Sequence, residues 1–168
     1  MVFNGTLTRI AACCAMALAA NAADAAQYQF TVTGDYSASW QMNSTVVPDI
    51  SEEGGGFVMW DVTGDFSGAV DTIADLTFYH ADIGGGMQIY DYMGDNTLLL
   101  TDGPQLYSGS EDQPTFLLGT FAMTEFGGSG QYTLTVSEVS AVPEPATYAM
   151  LLGGLGLVGT LAARRRKS

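Results

Sequence analysis

Apolar and polar residues alternate without a break along residues 28–42. Every odd position from 29 to 41 is polar, and every even position is apolar or small. The even positions are Tyr28, Phe30, Val32, Gly34, Tyr36, Ala38, Trp40 and Met42. A period of two predicts a half-buried β-strand and excludes an amphipathic helix. Because this run is longer than a usual strand, we expect a bulge or bend at Gly34.

A short phrase of this run returns farther along the chain. Residues 32–37 (Val-Thr-Gly-Asp-Tyr-Ser) are echoed by residues 62–67 (Val-Thr-Gly-Asp-Phe-Ser), and Phe30 is matched by Trp60. One echo is too few for a solenoid, which needs several repeats to bury a continuous core. The echo predicts two bent strands with equivalent roles, and both Trp40 and Trp60 are expected in the core.

Further segments with strand patterns follow, at 76–80, 87–92, 97–101, 115–123 and 131–137. Glycine-rich stretches lie between several of them and indicate turns. About seven strands without a convincing helix predict an all-β domain, folded as an antiparallel β-sandwich or jelly roll. We expect this domain to occupy residues 26–141.

The N-terminus has the order of a secretory signal peptide. Arg9 precedes an uncharged run at 10–20, and small residues follow that run. We therefore expect a signal peptide at residues 1–25, with signal peptidase cutting after Ala22 or Ala25.

Both cysteines of the chain fall within this signal peptide. Residues 10–13 resemble a lipobox ending at Cys13, but Arg9 leaves no apolar stretch before it. Cys13 and Cys14 would therefore leave with the signal, so that the mature chain has no thiol and no disulfide.

The C-terminus has three parts in a fixed order. Pro143, Glu144 and Pro145 are followed by the uncharged residues 146–163 and then by a basic cluster. The cluster consists of Arg164, Arg165, Arg166 and Lys167. The apolar segment would make about 27 Å of α-helix, close to the thickness of a hydrocarbon core. We therefore expect a transmembrane helix there, with the basic cluster in the cytoplasm.

This order resembles the PEP-CTERM sorting signal, a tail also labelled the ice-binding protein C-terminal domain. The resemblance covers residues 142–168. It implies that Pro143, Glu144 and Pro145 are recognised by an exosortase, a membrane transpeptidase that cuts near them. It also implies a single-pass inner-membrane intermediate with its N-terminal domain outside, and then delivery to the cell surface or extracellular matrix. An ordinary anchor would explain the apolar segment and the arginines but not the Pro-Glu-Pro motif.

Residues 26–141 have an extreme charge balance. They contain none of the five Lys and Arg residues of the chain and every acidic residue except Asp24 and Glu144. Such a surface repels phosphate backbones, which excludes nucleic acid as a partner. His80 is the only histidine of the chain, so a histidine-rich zinc site is excluded as well.

The acids favour one metal. Asp61 and Asp65 are closely spaced carboxylates, as are Asp91 and Asp95, and calcium prefers oxygen ligands. However, neither pair fits the D-x-D-x-D-G loop, and strand alternation would turn some of these side chains apart. Calcium is the one cofactor that we consider, and otherwise we expect none.

Tyr90 and Tyr92 are the residues that we expect to bind a glycan, because they share one face of a predicted strand. Catalysis has weaker support. The chain has no G-x-S-x-G motif to accompany His80 in a Ser-His-Asp triad. The adjacent acids at 52–53 and 111–112 would point to opposite faces of a strand rather than into one cleft.

The sequence therefore predicts an exported, non-enzymatic envelope or matrix protein that an exosortase delivers and that associates with exopolysaccharide or biofilm. Two alternatives stay open at this point. One is a calcium- or glycan-binding module, and the other is a minor hydrolase.

Overall fold

The computed structural model of the chain describes residues 25–139 and Gly154. Its elements are β1 (Gln27–Gly34), β2 (Ala38–Asn43), β3 (Ile50–Glu52), β4 (Gly56–Phe66), β5 (Ile73–Tyr79), a 3₁₀ helix (Ala81–Ile83), β6 (Met87–Asp91), β7 (Asn96–Asp102), β8 (Tyr107–Ser108), β9 (Thr115–Phe116), β10 (Gly119–Glu125) and β11 (Gln131–Glu138). The predicted sorting motif, the apolar segment at 146–163 except Gly154, and the basic cluster lie outside these residues. So does the predicted signal peptide, apart from Ala25.

Within the described part of the chain, no helix is both long and apolar enough to cross a membrane.

The antiparallel strands close into a single ring. Neighbours pair in the order β2-β1-β11-β10-β7-β6-β5-β4, and β4 pairs in turn with β2. This eight-stranded barrel contradicts the predicted sandwich or jelly roll of two packed sheets. Alternation along a strand tells which side chains point inward, but it does not tell whether the last strand returns to the first.

Strand β4 closes the ring because it is long and bent. Its pairing with β5 shifts register between Met59 and Val62, which is the signature of a bulge. Its second half then reaches β2, where Trp40 pairs with Gly64. A Cβ atom on Gly64 would lie 2.7 Å from the carbonyl oxygen of Ser39, so this close approach of two backbones requires glycine.

The alternating run at 28–42 is a hairpin rather than one bent strand. Strands β1 and β2 are antiparallel, with Phe30 opposite Trp40 and Val32 opposite Ala38. Each pair in this register joins two even or two odd positions, so the alternation of apolar and polar residues continues unbroken through the turn. Gly34 ends β1 with φ at 122°, a conformation that favours glycine.

The two echoed phrases end side by side but are not equivalent. The first ends β1 and enters the hairpin turn, whereas the second forms the closing half of β4. The hydroxyl oxygens of Ser37 and Ser67 lie 2.8 Å apart in a hydrogen bond. The prediction of equivalent strands is therefore wrong, although the two phrases meet in space.

The barrel interior is filled with aromatic rings. Phe30 stacks on Trp40 with 5.2 Å between ring centroids, and Phe57 stacks on Phe78 at 5.0 Å. The connection between β7 and β10 contributes Phe116, whose ring is 4.9 Å from those of Phe30 and Phe78. The short β8–β9 pair thus supplies the residue that joins the two ring stacks into one core.

Candidate functional site

One side of the barrel exterior has an unusual mixture of rings and polar groups. We call it the outer face and define it by eight side chains that project outward from β4–β7. Cross-strand pairing places these side chains in rows, and paired residues of antiparallel strands project from the same face. The members of the outer face are Val58, Trp60, Asp75, Thr77, Tyr79, Gln88, Tyr90 and Leu100.

Trp60 lies on this face and not in the core, contrary to the sequence prediction. Half of its surface is exposed, whereas Trp40 is only 2% exposed. A bulge at Asp61, whose φ is 53°, interrupts the alternation of inward and outward side chains along β4. The sequence prediction had assumed that this alternation was unbroken. Two hydrogen bonds hold the bulge in place. Asp49 accepts one from the backbone N–H of Trp60, and Asp75 accepts one from the backbone N–H of Asp61.

The predicted glycan residues lie at the edge of the same face. Tyr90 projects outward from β6 opposite Asp75, and its hydroxyl donates to the Asp95 carboxylate. This hydrogen bond, with burial, raises the pKa of Tyr90, so the hydroxyl stays protonated and remains a donor. Tyr92 is not on the strand as predicted. It lies in the turn after β6 and is 72% exposed.

The middle of the outer face is polar and held rigid by side-chain hydrogen bonds. The Tyr79 hydroxyl donates to Gln88 Oε1 at 2.9 Å, and Gln88 Nε2 donates to Thr97 Oγ1 at 3.2 Å. Tyr79 and Asp75 are four residues apart on β5, or about 14 Å along the strand. The face therefore offers an extended surface with aromatic side chains at both ends.

Two shallow apolar pockets adjoin Tyr79. The first has a volume of about 210 Å³ and is lined chiefly by Tyr79, Ile83, Leu100 and Phe126. The second, of about 170 Å³, shares Tyr79 and Ile83 with the first. Ile83 and Phe126 are both largely exposed, so this end of the face presents apolar surface to solvent.

The four predicted calcium ligands do not form a metal centre. Among the described residues, no three His, Cys, Asp or Glu side chains are grouped so that they could hold a metal ion. Asp61 is at the bulge of β4 and Asp95 accepts the hydrogen bond from Tyr90. Asp65 and Asp91 lie near Tyr36, where burial and then these two charges raise the pKa of Tyr36 to about 12.

Asp91 has a structural role at the end of β6. It is 1% exposed, its Oδ2 accepts from the Val70 N–H at 2.8 Å, and its Oδ1 accepts from the Gly94 N–H at 3.0 Å. These backbone hydrogen bonds lower the pKa of Asp91 from its ordinary value of 3.8, although burial acts in the opposite direction. The ionised carboxylate therefore ties two turns to the barrel.

We expect the Asp91→Asn variant to be less stable than the native protein at pH 7. A carboxylate with a lowered pKa in the folded state stabilises it fully above 3.8, and this contribution disappears as pH falls through the lower folded value. The difference between the two proteins should therefore shrink below pH 3.8. Urea unfolding at neutral and acidic pH measures it, with Asp112→Asn, at an exposed loop position, as the control. A difference that is equal at both pH values would contradict the assignment.

The candidate catalytic residues are engaged in local contacts. His80 Nδ1 accepts from the Asp82 N–H at 3.1 Å, and its Nε2 is 3.9 Å from Glu111 Oε1. No serine hydroxyl is hydrogen-bonded to His80 in the part of the chain that the structure describes. Glu111 is buried and accepts from the Tyr107 hydroxyl at 3.1 Å. Burial, that hydrogen bond and the Glu111 charge together raise the pKa of Tyr107.

The sequence predicted that adjacent acids would point to opposite faces of a strand and not into one cleft, and this prediction was too simple. Glu53, Glu111 and Asp112 line one open pocket of about 360 Å³, although Glu53 belongs to a different pair from the other two. Glu111 and Asp112 lie in a turn, where strand alternation does not separate them, and the turn after β3 brings Glu53 to the same pocket. The buried one, Glu111, is already held by Tyr107.

Sequence reasoning missed Tyr79, Gln88 and Ile83. Tyr79 and Gln88 follow from alternation once β5 and β6 are known to be paired, since Leu76 and Ile89 point inward. Ile83 gave no signal, because its exposure depends on the short 3₁₀ helix between β5 and β6.

Comparisons with known proteins address the C-terminus alone. Residues 141–167 match the family model of the PEP-CTERM protein-sorting motif. No curated protein and no solved structure matches the chain. The matched residues include Pro143, Glu144, Pro145 and the basic cluster. The chain therefore carries a PEP-CTERM sorting motif and is an exported protein that is sorted by an exosortase.

Proposed function

We propose that the barrel is a non-enzymatic module that binds extracellular polysaccharide through its outer face. The observation that carries this proposal is the position of Trp60 and Tyr90 on one side of the barrel wall. Sugar rings offer apolar C–H faces that pack on aromatic rings, and sugar hydroxyls bond to carboxylates and amides. Asp75 and Gln88 supply those polar groups beside the rings.

The rigidity of the face supports this proposal. Strands β4–β7 are paired on both sides, so the outward side chains have fixed spacings before any ligand arrives. Binding then costs little conformational entropy, which is the main cost for a flexible surface. Polar residues at its centre and rings at its ends suit an extended polymer better than a single small molecule.

Sorting gives the module its place of action. We propose that signal peptidase releases the N-terminus and that the apolar segment at 146–163 holds the chain in the inner membrane until the exosortase acts. The processed protein then reaches the cell surface or matrix and associates there with exopolysaccharide or biofilm. The dependence on Pro143, Glu144 and Pro145 is part of the proposal.

We expect Trp60→Ala and Tyr90→Ala each to weaken binding of the host's own polysaccharide about tenfold, which corresponds to an aromatic contact worth about 1.4 kcal/mol. Titration calorimetry of the purified exported protein measures this. Leu118→Ala is the matched control, because Leu118 is an exposed apolar residue between β9 and β10. Its affinity should equal that of the native protein.

Two results would contradict the proposed function. One is the absence of binding to any polysaccharide of the host by the folded native protein. The other is binding that the Trp60 and Tyr90 variants retain in full. A hydrolase screen on the same polysaccharides addresses the remaining alternative, and release of soluble sugar that Glu111→Gln abolishes would favour an enzyme acting in the acidic pocket.

A further inference from the structure

The acids of the barrel are segregated to one half of its wall. Strands β1 and β2 contain no acidic residue, and β10 and β11 contain one each, as the last residue of the strand. Their outward side chains are threonine, serine, glutamine, asparagine and alanine. Strands β4–β7, on the other side of the ring, contain Asp61, Asp65, Asp75, Asp91 and Asp102.

Three carboxylates near Trp60 and Tyr90 each use one oxygen in a hydrogen bond. Asp49 Oδ2 accepts a hydrogen bond from the backbone N–H of Trp60, and Asp75 Oδ1 accepts one from the backbone N–H of Asp61. Asp95 Oδ1 accepts a hydrogen bond from the Tyr90 hydroxyl. In each case the second oxygen accepts no hydrogen bond from another group in the described part of the chain. Carboxylate oxygens thus lie on the outer face (Asp75) and beside it (Asp49 and Asp95), and residues 26–141 contain no Lys or Arg to neutralise them.

We propose that the polysaccharide bound by the outer face is a polycation, namely a hexosamine polymer with free amino groups. This inference rests on the proposed function and names its ligand. Charge complementarity selects the occupant, because an anionic polymer would be repelled by a surface without a single cationic side chain. An ammonium group can make two favourable interactions here, a charged hydrogen bond with the free carboxylate oxygen and a cation–π contact with the face of a neighbouring ring.

The acid-poor half of the barrel, β1, β2, β10 and β11, explains why the ligand would bind on one side. A polycation is drawn to the half that holds more of the acids, and that half also carries the exposed Trp60 and the half-buried Tyr90. The electrostatic attraction falls with added salt, whereas ring packing does not. These two contributions are therefore separable by experiment.

The test compares two probes of equal length on the purified exported protein, a chitosan hexamer and its fully N-acetylated counterpart. At about pH 5.5 the sugar amines are protonated, whereas the N-acetyl groups carry no charge. We expect the chitosan hexamer to bind about tenfold more tightly or better. Its affinity should fall about tenfold when salt rises from roughly 50 to 500 mM.

Two variants locate the charge. Asp75→Asn keeps an oxygen for the Asp61 N–H and should reduce the preference for the free amine severalfold. Glu138→Gln removes one charge at the end of β11, on the opposite side of the ring, and should change nothing. Equal binding of both probes, or a preference that Asp75→Asn leaves intact, would overturn the inference while the proposed function stands.

Failure of the proposed function has a different appearance. In that case neither probe nor any host polysaccharide binds, or Trp60→Ala leaves all binding unchanged. Binding of an anionic polymer in the presence of calcium alone would also overturn the inference, since the ligand would then be recognised through a bridging metal.

Discussion

Replacing Phe116 with alanine is expected to lower the free energy of unfolding of the barrel by about 3–5 kcal/mol. The ring contacts Phe30, Phe57 and Phe78, with centroid distances of 4.9, 5.9 and 4.9 Å. Its removal leaves a cavity at the junction of the two ring stacks, where the paired strands of the wall cannot collapse to fill it. Because domains of this size are stable by about 5–15 kcal/mol, about a fifth of the total or more would be lost.

Urea unfolding of the purified exported protein measures this loss, and the change corresponds to a Tm roughly 10–20 °C lower. Phe126→Ala is the matched control, because Phe126 is 60% exposed on the outside of the barrel. We expect it to stay within about 0.5 kcal/mol of the native protein. Equal effects of the two substitutions would mean that the β8–β9 pair does not join the core as described.

Replacing Glu144 with alanine is expected to abolish C-terminal processing in the native host. The match at 141–167 identifies the sorting motif, and Glu144 is the one charged residue between the two prolines. Proline disfavours a helical conformation for itself and for the residue before it, and a transpeptidase needs an extended substrate. The unprocessed precursor should therefore accumulate in the membrane fraction, and the mature form should fall to background.

Glu138→Ala is the control for this experiment, since it removes the same side chain at the exposed end of β11 and outside the motif. It should be processed like the native protein. Immunoblots of membrane and surface fractions separate the two outcomes. Normal processing of Glu144→Ala would show that the Pro-Glu-Pro motif is not what the exosortase recognises in this chain.

Part of the fold could be predicted because alternation reports which residues face inward. Phe30, Val32 and Trp40 are buried as the pattern indicates. The turn between β1 and β2 could not be predicted, because the hairpin register pairs even positions with even ones and odd with odd. The alternation of apolar and polar residues therefore shows no break at the turn. Barrel closure could not be predicted either, since it depends on the bulge in β4 and on the close approach at Gly64, which are properties of paired strands and not of one segment.

The candidate site was predictable only in part. Tyr90 was selected as a candidate because of its strand face. Trp60 was assigned to the core because the sequence around it contains no signal for the bulge at Asp61. The concentration of acids in one half of the wall could not be predicted either. Composition gives only the total charge, and its distribution depends on the order of the strands in the ring. Sorting, by contrast, was readable from the C-terminus alone, because that signal is a linear motif.

The most decisive measurement is the intact mass and fractionation of the protein from its native host, with and without the exosortase. The sorting described above predicts a mature form that lacks the residues after the Pro-Glu-Pro region and that leaves the membrane only when the enzyme is present. A protein that keeps residues 146–168 at full mass in both strains would contradict it.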